Sequence, residues 1–329
     1  MKKVGFSGLW ALLLICGLST AWAQELLVGG QAVGIQITTD GVIVAGFCPV
    51  ETEEGALNPA SDAGLLVGDL ICGADGKTVS DAAELITALE EAGGPVALDV
   101  RRGAQEMTVE VAPAVGEEGR PMLGILLRDG MNGIGTLTFC DPESGTFGAL
   151  GHSVNDSDTG LTIPLREGTI TDAQIVSVRP GAAGVPGELS GASDLGRVLG
   201  LVEHNTDFGI FGQMLGSLGT RLLPVGRITA GPAAILATVE GRETREYAVE
   251  VNRVYRDAGG THAMLSVTDP ALLARTGGIV QGMSGSPIIQ NGSLVGAVTH
   301  VFISDSTRGY AVSIQDMLKA AGIAVDKAA

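Results

Sequence analysis

The chain has 329 residues, a formal net charge of −17, 50 glycines and only 4% aromatic residues. A surface this acidic repels nucleic acid and anionic lipid, and we therefore exclude both as partners. The length allows two modest domains. Glycines that separate short Val, Ile and Leu runs favour turn-rich β structure over long helices.

Residues 1–23 have the pattern of a secretory signal peptide. Lys2 and Lys3 form a positive start, residues 9–18 are apolar, and Ala21-Trp22-Ala23 is a small-x-small cleavage site. The apolar run is shorter than a comfortable membrane span. We predict export across the cytoplasmic membrane, with an uncleaved leader that acts as an anchor as the alternative.

Residues 24–114 are predicted to form a small α+β domain. Residues 41–47 and 70–71 have the composition of strands, and the pair 95–101 and 107–111 is typical of a hairpin that turns at Arg102-Gly103. Apolar residues at helical spacing predict a helix from Ala82 to Ala92, with Ser80 or Asp81 as its N-cap.

This domain resembles bacterial PDZ domains. The signature lies at residues 58–65 (NPASDAGL) and 67–71 (VGDLI), and Ala32-Val33-Gly34-Ile35 resembles the PDZ carboxylate-binding loop. In such a loop, consecutive backbone N–H groups hold a peptide carboxylate beside a strand edge. We therefore predict a C-terminal or internal peptide as a partner at Ala32, Val33, Gly34 and Ile35. Alternatively, Val33 and Ile35 are simple core residues.

Cysteine and histidine spacing gives no indication of a metal site. Cys48, Cys72 and Cys140 follow no zinc pattern, and a Cys48–Cys72 disulfide and free thiols are both compatible with the sequence. The sequence also contains no phosphate-binding loop. We predict neither a metal nor any small-molecule cofactor.

Residues 115–329 are predicted to form a second, mostly β domain after a linker at 113–121. Short apolar runs at strand length favour a barrel or a sandwich. They lie at residues 134–139, 174–178, 197–202, 233–239, 247–251, 264–267, 288–289 and 294–301. Helical spacing at residues 313–321, with a stop at Gly322, predicts a C-terminal helix.

The turn Gly282-Met283-Ser284-Gly285-Ser286-Pro287 is the strongest candidate for a catalytic element. Flanking glycines let a backbone fold tightly around one hydroxyl and expose N–H groups beside it. We predict Ser284 as nucleophile, in preference to Ser286, with the N–H groups of Gly282 and Ser284 as the oxyanion hole. A plain polar turn between strands is the alternative.

His152 is the predicted general base. It follows Gly151, and its position before Ser284 in the chain is the order of chymotrypsin-like peptidases. His300 follows the nucleophile in a predicted strand, where a packed or supporting role is expected. His204 and His262 have no support beyond their residue type.

Several segments together resemble the SpoIVB peptidase family, serine peptidases of endospore-forming bacteria. They are residues 147–152 (FGALGH), 205–212 (NTDFGIFG), 267–270 (VTDP), 277–292 and 295–302. The resemblance covers about residues 121–325 and implies a chymotrypsin-like double β-barrel closed by a C-terminal helix. It also implies Asp269 as the triad acid. Asp207 is the rival, because Asp269 lies only 15 positions before Ser284.

The resemblance implies a signalling role in endospore formation. An enzyme of this family is secreted into the space between mother cell and forespore. There it cleaves itself and a membrane-bound regulator of an intramembrane metalloprotease, and its PDZ domain helps control both events. We therefore predict a secreted serine endopeptidase. A non-catalytic PDZ adaptor and a general secreted quality-control protease are the alternatives.

Overall fold

The computed structural model describes residues 24–53, 55–216 and 221–325, so the predicted signal peptide at 1–23 lies outside the described residues. The strands are β1 (Glu25–Val28), β2 (Ala32–Phe47), β3 (Val50–Thr52), β4 (Gly55–Leu57), β5 (Leu70–Ala74), β6 (Lys77–Thr78), β7 (Val96–Arg102), β8 (Gln105–Val111), β9 (Ala114–Val115), β10 (Pro121–Met122), β11 (Ile125–Cys140), β12 (Thr146–Ala149), β13 (Glu167–Arg179), β14 (Glu188–Thr206), β15 (Gly209–Met214), β16 (Leu222–Pro224), β17 (Gly231–Thr238), β18 (Thr244–Asp257), β19 (Gly260–Val267), β20 (Pro287–Gln290), β21 (Ser293–Phe302) and β22 (Asp305–Ser313). The helices are α1 (Pro59–Asp62), α2 (Ala82–Ala92), α3 (Pro270–Thr276) and α4 (Ile314–Ala320).

Two β-barrels form the larger part of the molecule. In the first, the antiparallel pairings β2–β11, β11–β12, β12–β15, β15–β14, β14–β13 and β13–β2 close into a ring. The second is a closed barrel in the order β17-β18-β19-β22-β21-β20. The predicted fold class, mostly β with a double-barrel peptidase domain, is confirmed.

Each barrel has its own apolar core. Val33, Leu137 and Phe147 are buried in the first, and Ile235, Leu265 and Ile288 are buried in the second. Helix α4 packs between β1 and the second barrel, and the Ser313 hydroxyl accepts a hydrogen bond from the Asp316 N–H as its N-cap. The predicted C-terminal helix is therefore confirmed.

The PDZ module contains the end of β2, strands β5, β7 and β8, and helix α2. The side chain of Asp81 accepts a hydrogen bond from the Glu84 N–H, which caps α2 as expected. Leu85 and Leu89 face a core shared with Val42 and Leu98. The predicted helix and hairpin are confirmed.

Strands β2 and β11 each run through the PDZ module and the first barrel. Residues 125–128 of β11 pair with residues 43–47 of β2 beside the PDZ core, and residues 130–136 pair with residues 32–38 in the barrel. The PDZ boundary predicted at residue 24 is therefore corrected, because β1 and the start of β2 belong to the barrel side. The predicted linker is also structured, since β9 and β10 pair within it.

The prediction of a carboxylate-binding loop at Ala32, Val33, Gly34 and Ile35 is wrong. All four residues lie in β2, which pairs here with β11 on one edge, and from Val33 onward with β13 on the other. Their backbone N–H groups therefore belong to a closed barrel and leave no open strand edge for a peptide. A Cβ atom at Gly34 would lie 2.2 Å from the Ser193 Oγ, so Gly34→Glu would disrupt the barrel.

Cys48, Cys72 and Cys140 are free thiols, so the alternative of a Cys48–Cys72 disulfide is not realised. Within the described ranges, no helix is both long enough and apolar enough to span a membrane.

Candidate active site

A cleft of about 480 Å³ lies between the two barrels. It is lined by Ile35, Met131, Gly133, Ile134, Leu150, His152, Ser153, Val154, Asn155, Pro186, Ile279, Val280, Gln281, Gly282, Ser284, Thr299, His300, Val301 and Ile303. The first barrel contributes His152 and the second contributes Ser284 and His300. The structure therefore brings the predicted base and nucleophile to one cleft.

Ser284 occupies the turn between α3 and β20 and is half-buried in the cleft wall. Its hydroxyl donates a hydrogen bond of 2.7 Å to the carbonyl oxygen of Thr299. Ser286 is 0% exposed, does not line the cleft, and its hydroxyl has no hydrogen-bond partner among the described residues. The geometry thus supports Ser284 over its neighbour as the nucleophile.

Two backbone N–H groups beside Ser284 are free to bind an oxyanion. The Gln281 carbonyl accepts a bond from the Leu189 N–H, and the Met283 carbonyl accepts one from the Ser286 N–H. In a trans peptide unit the carbonyl of one residue and the N–H of the following residue point in opposite directions. The Gly282 and Ser284 N–H groups therefore point away from the Gln281 and Met283 carbonyl oxygens. The N–H groups of Gly282 and Ser284 have no acceptor among the described residues. This is the arrangement predicted for the oxyanion hole.

Strand β11 of the first barrel fixes the nucleophile turn from the other side. The Thr136 N–H donates to the Ser284 carbonyl, and its hydroxyl donates to the Gly282 carbonyl, both at 2.9 Å. The Thr138 hydroxyl donates to the Gly285 carbonyl at 2.7 Å. A Cβ at Gly285 would lie 2.1 Å from the Thr136 carbonyl oxygen, so only glycine fits there.

Sequence reasoning missed these two threonines. The available signal was two buried hydroxyls at alternating positions in an otherwise apolar strand, because such groups need hydrogen-bond partners.

His152 is held in the orientation and tautomer of a general base. Its Nδ1 lies 2.7 Å from the Ser153 carbonyl oxygen, which can only accept, so Nδ1 carries the proton and Nε2 has the free lone pair. Leu150 and Gly151, just before it, both have left-handed backbones with φ of 70° and 71°. At Leu150 this costs about 1–2 kcal/mol, a strain that the buried side chain offsets.

Two distant side chains hold the loop that follows His152. The Asn205 side chain accepts from the Val154 N–H and donates to the Val154 and Ile163 carbonyls. Arg128 of β11 forms an ion pair with Asp156, whose side chain is fully buried. Asn205 lies in a segment that carried the family resemblance, but no role was predicted for it.

His300 lies against the base, with ring centroids 4.5 Å apart and the rings tilted by 34°. Burial, and then the charge of His300, lower the pKa of His152 from 6.5 to about 4. Burial also lowers the pKa of His300. This contact fits the packed or supporting role expected of His300, because its ring lies directly against the imidazole of the predicted base.

Asp269, the predicted triad acid, does not line the cleft. It is the N-cap of α3, and its carboxylate accepts hydrogen bonds from the N–H groups of Ala271, Leu272 and Ala248. Its assignment is therefore corrected, because the Asp-Pro pair starts a helix here. The rival Asp207 lies exposed in the β14–β15 turn. No Asp or Glu occurs among the described residues that line the cleft.

Comparison with known proteins agrees with this geometry. The profile of the SpoIVB peptidase S55 family matches residues 119–318, more than half of the chain. The chain belongs to this family. A PDZ domain profile matches residues 33–112. No curated protein matches the chain.

Solved structures show partial similarity. The PDZ domain of an SdrC-like protein from Listeria monocytogenes is 28% identical and covers 28% of this chain and 90% of its own, with a TM-score of 0.22. The active form of the Rv3671c protease from M. tuberculosis is 15% identical over 59% of this chain and 76% of its own, with a TM-score of 0.35. The thermostable serine protease AL20 from an extremophilic microorganism is 11% identical over 58% of this chain and 91% of its own, with a TM-score of 0.35.

The site of this S55 peptidase can carry out acyl transfer with a serine–histidine pair. Nε2 of His152 takes the proton as the Ser284 hydroxyl turns from the Thr299 carbonyl to attack a peptide carbonyl. The N–H groups of Gly282 and Ser284 stabilise the resulting oxyanion. His152 then protonates the leaving amine, and water hydrolyses the acyl-enzyme. The Ser153 carbonyl orients the imidazole, a task that a carboxylate performs in a triad.

The lowered pKa of His152 predicts an unusually acidic activity profile. Only the neutral imidazole accepts a proton, so kcat/KM stays level as the pH falls and declines only near the folded pKa of about 4. In His300→Ala, His152 loses burial and a like charge beside it, so its pKa should rise toward 6.5. The acidic limb of the pH profile should move up with it. Peptide hydrolysis measured between about pH 3 and pH 8 tests this, with circular dichroism to confirm that the fold persists. A wild-type limb near the ordinary imidazole pKa would contradict it.

Asp269→Ala should change stability and not catalysis. Removing an N-cap carboxylate costs about 0.5–2 kcal/mol of unfolding free energy, while the cleft residues keep their contacts. Urea unfolding measures the first effect and the rate of fluorophosphonate labelling measures the second. Asp269→Asn, which keeps an acceptor oxygen, is the matched control. A loss of labelling by several orders of magnitude in a folded variant would restore Asp269 as the triad acid.

Proposed function

We propose that this S55 peptidase is a secreted endopeptidase in endospore signalling. It cleaves a membrane-bound regulator of an intramembrane metalloprotease and also cleaves itself. The catalytic part of this proposal rests on one observation: a single cleft contains His152, Ser284 and the N–H groups of Gly282 and Ser284. The signalling role rests on family membership and on the PDZ module joined to the first barrel.

Fluorophosphonate labelling distinguishes an enzyme from a non-catalytic adaptor. Such a probe reacts with a serine only when a base and an oxyanion hole activate it. The wild-type protein should be labelled at Ser284, as read by peptide mass spectrometry. An unlabelled wild-type protein with a normal melting curve would favour the adaptor.

The cleft wall predicts the class of peptide that is cut. Apart from the catalytic groups it is mostly aliphatic, including Ile134, Val280 and Val301, and none of the described residues that line it is Asp, Glu, Lys or Arg. We expect aliphatic residues next to the scissile bond to be preferred, because burying an unpaired charge there is costly. Profiling cleavage of a mixed peptide library checks this. A preference for charged residues at these positions would contradict it.

Two measurements test the signalling role. Mass spectrometry of the purified wild-type and Ser284→Ala proteins should show truncation only in the wild type, which identifies self-cleavage. Casein and unfolded proteins should remain largely uncut, while a membrane-reconstituted regulator from the same genome is cleaved at discrete bonds. Broad digestion of casein would favour the quality-control alternative.

A further inference from the structure

Aromatic rings and guanidinium groups meet on the outer face of the second barrel. The rings of Phe302 and Tyr310 are stacked, with centroids 4.2 Å apart. The Arg308 guanidinium lies over the Phe302 ring at 5.2 Å, and the Arg253 guanidinium lies over the Tyr255 ring at 5.9 Å. All five residues are exposed or half-buried. We call them the aromatic–arginine patch.

The register of β18, β19 and β22 makes the patch one continuous surface. Met264 of β19 lies opposite Arg253 on one side and Tyr310 on the other. Two positions earlier, His262 lies opposite Tyr255, and their rings stack at 5.6 Å. Burial, and then the neighbouring Tyr310, raise the pKa of Tyr255. These side chains therefore share the solvent face of three adjacent strands.

The patch begins at the edge of the catalytic cleft. The pairing of β21 with β22 is interrupted there, so that Thr299 and His300 together lie opposite the single residue Tyr310. Thr299 and His300 line the cleft. Phe302 follows His300 by two positions, which is about 7 Å along a strand. A peptide that is held at Ser284 and continues past His300 therefore meets the patch.

The two arginines of the patch have no acidic partner. Neither Arg253 nor Arg308 forms an ion pair among the described residues. Glu250 and Asp257 lie on β18 on either side of Arg253, and Asp257 contacts the His262 ring at 3.3 Å. A guanidinium that lies over an aromatic ring keeps its N–H groups free to bind a carboxylate. The patch is therefore suited to an acidic partner.

We propose that the patch is an exosite, a surface outside the cleft that binds a substrate segment next to the scissile bond. In this segment, Asp or Glu is interspersed with aromatic or large aliphatic residues. Its carboxylates meet Arg253 and Arg308, and its apolar side chains pack on Tyr255, Phe302 and Tyr310. Aromatic residues and arginine dominate the binding energy of many protein interfaces. The source of this ligand rests on the proposed peptidase function, whereas its binding can be measured without catalysis.

The test uses the full chain carrying Ser284→Ala, so that peptides are bound and not cut. Three fluorescein-labelled peptides share the aliphatic centre Ala-Val-Leu-Ala, which is flanked on both sides by Glu-Phe-Asp-Leu, Lys-Phe-Lys-Leu or Ser-Gly-Ser-Gly. In fluorescence anisotropy, the acidic peptide should bind about tenfold tighter than either of the others. The net charge of −17 by itself predicts the opposite order. Equal or tighter binding of the lysine peptide would overturn the proposal.

Substitutions then locate the site. The double variant Arg253→Gln with Arg308→Gln should weaken binding of the acidic peptide by about tenfold to a hundredfold. Arg245→Gln is the matched control, because Arg245 is an exposed arginine of the same strand that pairs with Glu243. Melting curves check the fold, and the two single variants decide the outcome if the double variant is unfolded. Wild-type affinity in a folded double variant would overturn the assignment.

Cleavage by the protein with Ser284 intact separates this proposal from the proposed function. The ratio of kcat/KM for the acidic peptide to that for the Ser-Gly peptide should be about ten, and near one in the double variant. If no peptide is cut but the acidic one is still bound selectively, the peptidase proposal fails and the patch stands. Equal kcat/KM for all three peptides would overturn the exosite. Arginine-dependent sedimentation with phosphatidylglycerol vesicles, without selective peptide binding, would overturn it in favour of a lipid surface.

Discussion

Ser284→Ala should lower kcat by on the order of 10⁶, because the acyl-enzyme can no longer form. Among the described residues, the Ser284 hydroxyl makes one hydrogen bond, to the Thr299 carbonyl, and little else depends on it. We therefore expect an unchanged melting curve together with the loss of peptide hydrolysis and of fluorophosphonate labelling. Hydrolysis of a short aliphatic peptide measures the effect.

Ser286→Ala is the matched control for that experiment. Its hydroxyl is buried without a partner among the described residues, so its removal leaves no acceptor or donor unpaired and should retain nearly full activity. The reverse result, an active Ser284→Ala and an inactive but folded Ser286→Ala, would move the nucleophile by two positions.

His152→Ala should have an effect of the same order, since a nucleophilic serine and its base act as one unit. The double variant His152→Ala with Ser284→Ala should be no slower than either single variant, because removing both groups costs little more than removing one. Measuring kcat for the three proteins tests this coupling. Losses that simply multiply would contradict a shared catalytic role.

His204→Ala is the control for the histidine experiment. His204 is exposed on β14 and does not line the cleft. Activity should stay within a few-fold of wild type. A large loss in a folded His204→Ala protein would show that the base was assigned to the wrong histidine.

The sequence by itself determined those features whose physical cause is local. Helix α2 follows from apolar spacing and an Asp81 cap, and the turn around Ser284 follows from its flanking glycines. His152 lines the cleft, and its place before Ser284 in the chain, its glycine-framed setting and the family-like segment 147–152 are what made it the predicted base among four histidines.

Only the tertiary structure decided where strands pair. Val33-Gly34-Ile35 and Leu123-Gly124-Ile125 have nearly the same local pattern, an apolar residue followed by Gly-Ile. The first is enclosed in a barrel and the second lies beside helix α2. Pairing depends on hydrogen bonds between residues far apart in the chain, and a local pattern carries no information about its partner.

The same reason explains the errors at the active site. The family resemblance implied Asp269 as the triad acid, but its side chain caps α3 and the residue does not line the cleft. Thr136 and Thr138 hold the nucleophile turn because β11 passes behind it, although that turn comes about 150 residues later in the chain. Local backbone and side-chain preferences thus predicted helices α2 and α4 and the glycine-flanked turn of the candidate nucleophile Ser284. Long-range strand pairing decided which groups surround them.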